Sequence, residues 1–176
     1  MKPLFLFFNL FFLIPHIVPG EIVEIYSLNE MDDHRGFCID IRGHKSKAKV
    51  TRGLQAHTCY SYQGKVAVDQ GFASSKLMKN QFHLPAFNVC MEAASVTASA
   101  SLQLSKCRNG QLQNFAWDKK GKIHLMADEN LCLTIAQGES REGGGGSPVH
   151  LIRNLSMEIC NDTLKQFQRW GMRGME

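Results

Sequence analysis

The feature that most constrains this chain is an order of signals that recurs three times: an apolar strand carrying a cysteine, a second strand ending in cysteine, then Gln-x-aromatic. The first copy reads Gly36-Phe37-Cys38-Ile39-Asp40-Ile41, Leu54-Gln55-Ala56-His57-Thr58-Cys59, and Gln70-Gly71-Phe72. The second reads Asn88-Val89-Cys90-Met91-Glu92-Ala93, Leu102-Gln103-Leu104-Ser105-Lys106-Cys107, and Gln113-Asn114-Phe115. The third reads Asn130-Leu131-Cys132-Leu133-Thr134-Ile135, Leu155-Ser156-Met157-Glu158-Ile159-Cys160, and Gln168-Arg169-Trp170. Five positions before each second cysteine stands Leu54, Leu102 or Leu155, and three before it Ala56, Leu104 or Met157. That alternation is what a strand with one buried face requires. Segments 22–26, 76–84 and 122–126 read as opening strands, so each unit carries about four short strands. Units this small cannot bury a face alone; three of them together predict a closed, pseudo-threefold, all-β barrel of about twelve strands.

The chain has 176 residues, but its first twenty read as a leader. Lys2 precedes an apolar stretch from Leu4 to Ile14, followed by Pro15, Pro19, Val18 and Gly20. This is the pattern of a secretory signal peptide over residues 1–20, cleaved after Gly20, and the stretch is too short to span a bilayer. The remaining 21–176 divides into repeats of about 21–75, 76–120 and 121–176,. Loss of Lys2 lowers the net charge from +4 to +3, too weak to indicate a nucleic-acid partner,. The basic run at 42–52 lacks aromatic residues and reads as a solvated loop; the glycines at 143–146 read as the tip of an enlarged third-repeat loop. All six cysteines lie beyond the leader. An even count behind a signal peptide implies disulfides, although six cysteines permit fifteen connectivities.

The three Cys-x-acid or Cys-x-Thr strands, second cysteines and Gln-x-aromatic triplets resemble the ricin B-type (R-type) lectins. The resemblance covers essentially all of 21–176 and departs from the family in having Phe72 and Phe115 at two of the three Gln-x-Trp positions. It implies a β-trefoil, with one disulfide per repeat: Cys38–Cys59, Cys90–Cys107 and Cys132–Cys160. It also implies a carbohydrate-binding protein whose partners are glycans of galactose type, without catalytic residues, metal or other cofactor.

Carried over residue by residue, the family's sugar site falls in the first repeat on Asp40, Gln55, His57, Asp69 and Gln70. A carboxylate such as Asp40 accepts charge-assisted bonds from vicinal hydroxyls, and Asp69 with Gln70 adds an acceptor and an amide. The His57 ring stands where the apolar face of a sugar would lie, which predicts a shallow hollow shared with Asp40. If His57 keeps its ordinary pKa, affinity changes between about pH 5.5 and 7.5. Glu92, Gln103 and Gln113 make a weaker second site, since Ser105 offers no platform and Leu112 precedes Gln113. The third repeat has Thr134, Ser156, Glu158 and Phe167 at these positions, lacks acid and platform, and is expected not to bind.

No nucleophile elbow, zinc-binding His-Glu-x-x-His or phosphate loop occurs, and Asp32-Asp33 reads as a solvated turn,. The competing function is a secreted trefoil that binds a protein or serves a structural role. Asn154-Leu155-Ser156 and Asn161-Asp162-Thr163 are acceptors for N-glycans in a eukaryotic source,. Oligomeric state and the exact sugar are not encoded in any pattern.

Overall fold

The computed structural model describes residues 21–144 and 146–174; the leader expected over 1–20 lies outside the described residues. The first repeat contains β1 (Ile22–Ser27), β2 (Phe37–Ile41), β3 (Leu54–Thr58) and β4 (Phe72–Ala73). A helical turn, α1 (Ser74–Leu77), leads to the second repeat, with β5 (His83–Leu84), β6 (Val89–Ala93), β7 (Ala100–Ser105) and β8 (Phe115–Trp117). The third repeat has β9 (Ile123–Leu125), β10 (Asp128–Ile135), β11 (Arg141–Glu142), β12 (Leu151–Arg153), β13 (Leu155–Ile159), α2 (Lys165–Gln168) and β14 (Trp170–Gly174).

Each repeat is built on one antiparallel hairpin, β2–β3, β6–β7 or β10–β13, in which the two cysteine-bearing segments pair. First and fourth strands join the repeats. β1 pairs with both β4 and β14, which brings the two ends of the fold together, and β8 pairs with β9. The hairpins meet one another through β13–β7, β3–β12 and contacts between β3 and β7. This is the closed threefold barrel that the repeat predicts and the β-trefoil that the family resemblance implies. Its disulfides are Cys38–Cys59, Cys90–Cys107 and Cys132–Cys160, each staying within one repeat.

The alternation on the hairpins sends Ile39, Ile41, Leu54 and Ala56, with their counterparts Met91, Ala93, Leu102, Leu133, Ile135, Leu155 and Met157, into a single core. Phe72, Phe115 and Trp170 are buried there too. Trp170 satisfies its ring N–H by donating to the Leu133 carbonyl at 3.0 Å. Phe has no such donor to satisfy, and Phe82 packs edge-on against both Phe72 and Phe115. Substituting Phe for Trp therefore changes core packing and leaves no polar atom stranded.

Three local expectations are corrected. Segment 76–84 is not one strand: the Lys76 carbonyl accepts from the amides of both Lys79 and Gln81, and Asn80 takes φ 61°, so only His83–Leu84 remains extended. The enlarged third-repeat loop is also more than an exposed tip. It returns as β12, which pairs Ile152 with His57 and Arg153 with Ala56 along the first repeat's β3. Nor is Asp32-Asp33 merely solvated. Asp33 is buried, accepting from Arg35 at 2.8 Å and from the Thr58 hydroxyl at 2.6 Å, while Asp32 pairs with Arg153 of β12.

Candidate functional site

Period-two alternation places Cys38 and Asp40 of β2, with Gln55 and His57 of β3, on the hairpin face opposite the core; Asp40 pairs with Gln55 and Cys38 with His57,. The loop before β4 is tied to β2 by the Ile41 amide donating to the Asp69 carbonyl at 3.0 Å, which delivers Asp69 and Gln70 to that face. Asp40 accepts from the Gln55 amide at 2.8 Å and from the Gln70 amide at 3.3 Å. His57 stands one cross-strand pair further along, its Nδ1 2.9 Å from the Thr58 carbonyl. The five residues chosen from the sequence therefore gather on one face, with Asp40, Gln55 and Gln70 directly bonded.

That face is covered, where an open hollow was expected. Asp40 is 1% exposed and His57 5%. Tyr60 stacks on His57 with ring centroids 5.2 Å apart, and His150, arriving from the third-repeat insertion, sets its edge against both rings. Lys45 projects its ammonium over the Tyr60 ring at 5.1 Å, while its backbone amide donates to an Asp69 carboxylate oxygen. Sequence reasoning missed all three covering residues. Tyr60 could have been noticed, since it directly follows Cys59; Lys45 and His150 depend on how two loops fold back.

The enclosure sets the electrostatics. Burial, with Asp69 close by, holds the Asp40 carboxyl well above the usual carboxylate range despite the Gln55 and Gln70 donors. Burial raises Asp69 also, and one of its carboxylate oxygens, Oδ1, is buried without a partner. Burial, with His150 and Arg35 adding to it, lowers His57 to about 4. The pH window expected from an ordinary imidazole therefore moves well into the acid range.

The motif glutamines make one arrangement in all three repeats. Gln70, Gln113 and Gln168 accept through Oε1 from the amide of the residue after the second cysteine, Tyr60, Arg108 or Asn161, at 2.8–3.0 Å. Their Nε2 groups donate to the Thr58, Lys106 and Ile159 carbonyls, and also to the side chain at the acid position, Asp40, Glu92 or Thr134. In the second repeat Glu92 also accepts from Gln103, Ser105 and the Arg108 guanidinium. Burial alone would raise Glu92, but these donors outweigh it and hold the carboxyl below its ordinary value. In the third repeat a cavity of about 310 Å³ opens at the corresponding place, lined by Thr134, Ser156, Glu158 and Asn161 among others, with Ser156 donating to Glu158 at 2.6 Å.

The ricin-type β-trefoil lectin domain matches residues 28–154. The chain belongs to this family. Its fold is shared by solved structures at low identity. The C-half of the earthworm R-type lectin, in complex with GalNAc, is 13% identical with a TM-score of 0.58, covering 88% of this chain and 98% of that one. The β-trefoil lectin of the Vibrio vulnificus hemolysin/cytolysin, with N-acetyl-D-lactosamine bound, is 15% identical with a TM-score of 0.54, covering 90% and 98%. The mdaA-1 domain is 13% identical with a TM-score of 0.61, covering 90% and 93%. No curated protein matches the chain by sequence. Membership of this ricin-type family supports a carbohydrate-binding role. Among the described residues no helix is long and apolar enough to cross a membrane.

Proposed function

We propose that the protein is a secreted lectin that takes galactose-type sugars through Asp40, Gln55, His57, Asp69 and Gln70 of its first repeat, once the Tyr60 and Lys45 cover swings aside. The observation that carries this reading is the pair of buried carboxyls, Asp40 and Asp69, with Asp69 Oδ1 lacking any donor. A buried carboxylate oxygen without a donor is unfavourable by about 1–3 kcal/mol or more. Vicinal sugar hydroxyls are donors suited to relieve it. Displacing Tyr60 would free the His57 ring for the apolar face of the sugar. The related earthworm and Vibrio lectins hold GalNAc and N-acetyl-D-lactosamine, both in keeping with this ligand class. The leader at residues 1–20 and three disulfides suit export to an oxidising compartment,. Glu92, Gln103 and Gln113 form a weaker second site that Arg108 now fills. No cofactor, metal or catalytic residue has a place in this function.

Galactose-agarose tests the proposal. The folded protein is expected to be retained, to elute with free galactose, and to lose retention on Asp40→Ala. A second reading, a trefoil that binds another protein or serves as a structural domain, is favoured by the Tyr60 ring occupying the His57 face. Tyr60→Ala separates the two. If the wild type and this variant both fold and neither is retained, the sugar site is wrong and the second reading stands.

A further inference from the structure

Strands β1, β5 and β9 set Tyr26, His83 and His124 opposite Cys38, Cys90 and Cys132 respectively. Only in the third repeat, among the described residues, does an imidazole reach the sulfurs. His124 Nδ1 lies 3.7 Å from Cys132 Sγ and 3.5 Å from Cys160 Sγ. Nδ1 also lies 2.8 Å from the Glu129 carbonyl, which can only accept, so Nδ1 carries a proton,. The other ring nitrogen faces the Asp118 carboxylate at 3.1 Å. Burial would raise Asp118, but bonds from His124 and from the Lys122 and Lys120 amides outweigh it and keep the carboxyl ionised. Cys160 is partly exposed, so a small thiol can approach that sulfur.

The Cys38–Cys59 bridge has the opposite surroundings. Both cysteines are buried, and the buried Glu24 carboxylate, ion-paired with Arg173, lies within 4.8 Å of both sulfurs. An N–H donor beside a sulfur favours a departing thiolate, and a carboxylate already paired with Arg173 supplies no such donor,.

We propose that Cys132–Cys160 is a thiol-exchange site, opened by small thiols such as glutathione, with His124 supplying the proton to the departing sulfur and Asp118 orienting the ring. The incoming thiolate bonds to Cys160 Sγ and the sulfur–sulfur bond breaks, its electron pair leaving on Cys132 Sγ. The Nδ1 proton of His124 passes to that sulfur while the ring keeps its Nε2 proton toward Asp118, and solvent then returns a proton to Nδ1. The product carries Cys132 as a thiol and Cys160 as a mixed disulfide. A second thiolate attacking the mixed disulfide releases Cys160, so two small thiols are oxidised as one protein disulfide is reduced. The bond staples β10 to β13, beside the cavity lined by Thr134, Ser156 and Glu158, so exchange loosens one wall of that cavity. The inference does not depend on sugar binding at the first repeat.

The test exposes the folded protein to glutathione near neutral pH, then maps opened cysteines by differential alkylation and peptide mass spectrometry. Cys132–Cys160 is expected to open about tenfold or more faster than either other bridge, a modest share of what a positioned acid can supply. His124→Gln should slow this bond by about tenfold and leave Cys90–Cys107 unchanged. Asp118→Asn, which keeps the ring, should slow it severalfold. Circular dichroism before reduction confirms that each variant is folded. Three bridges opening at one common rate, or unchanged opening in both variants, overturns the proposal.

Discussion

Asp40 and Glu92 occupy the same position in consecutive repeats, two residues after the first cysteine and bonded to the motif glutamine, yet their surroundings push them in opposite directions. Asp40 meets Gln55, Gln70 and a second buried acid, Asp69, beneath the uncharged Tyr60 ring, and its carboxyl is driven up. Glu92 meets Gln103, Gln113, Ser105 and the Arg108 guanidinium, and its carboxyl is held down. The decisive substitutions are Tyr60 for Arg108 after the second cysteine and Asp69 for Leu112 before the motif glutamine. The second repeat answers its acid internally with a cation. The first leaves its acids short of donors, and this imbalance favours binding a hydroxylated ligand.

The strongest way to break this comparison is to remove the glutamines, whose scaffold role is common to all repeats. Gln70→Ala frees the Tyr60 amide, takes one donor from the Thr58 carbonyl, which still faces His57 Nδ1, and takes one from buried Asp40; a loss of about 4 kcal/mol in urea unfolding is expected,. Gln168→Ala frees the equivalent backbone groups, but its third partner is the neutral Thr134 hydroxyl, so about 2 kcal/mol is expected,. Equal losses would mean that the Asp40 carboxyl adds nothing to the glutamine's contribution.

Next in size is the pH response of the first-repeat cover. His57 falls from an ordinary 6.5 to about 4 in the fold, so the unfolded chain binds the proton more readily between those values. Its contribution is complete above about pH 6.5 and is lost as pH falls toward 4. By about pH 4.5 the loss should reach roughly 2–3 kcal/mol. Asp40 and Asp69 act with the opposite sign. Their raised values favour the fold while they are protonated, and that contribution is lost as pH rises through those values,. His57→Phe keeps a ring without a titrating nitrogen and separates the two. Thermal melts across this range should show the acid-side loss in the wild type and not in the variant.

Where the sequence was legible, the cause was local. Strand alternation, cysteine phase and Gln-x-aromatic spacing each act over a few residues, and together they specify hairpins, crosslinks and core. The same register carries Asp40, Gln55 and His57 to one face, because residues of one strand face cannot scatter. What covers that face is set elsewhere. His150 reaches it only because an insertion in the third repeat folds back as β12 beside β3. Lys45 reaches it because its own backbone adopts φ 47°, aiming its amide at Asp69. Neither long-range return nor a single left-handed lysine leaves a periodic trace, so the gathering of the five residues on one face was readable and their closure was not.

Opening the cover sharpens the comparison by a smaller amount. Tyr60→Ala removes the ring stacked on His57 and the surface on which Lys45 rests, while the Tyr60 backbone amide can still donate to Gln70. If the cover opposes ligand entry by about 1.4 kcal/mol, galactose should bind about tenfold tighter. Isothermal titration of both proteins reads this directly. Weaker binding in a folded Tyr60→Ala would instead make Tyr60 part of the sugar platform.

The smallest effect is expected at the cation that quiets the second repeat. The Arg108 side chain is 61% exposed, so its 2.9 Å pair with Glu92 is screened by solvent and salt, and Arg108→Ala should change stability by less than about 1 kcal/mol,. Glu92 keeps three other donors, Gln103, Ser105 and Gln113, and so remains ionised and held in place. What the substitution alters is the space in front of that carboxylate. In an Asp40→Ala background, where the first site is silent, Arg108→Ala should restore faint retardation on galactose-agarose, short of true retention because Ser105 gives the sugar no ring to lie against. A drop in stability well beyond 1 kcal/mol, with no retardation, would make the Arg108–Glu92 pair a structural counterpart of the Tyr60 cover and leave the first repeat alone in binding sugar.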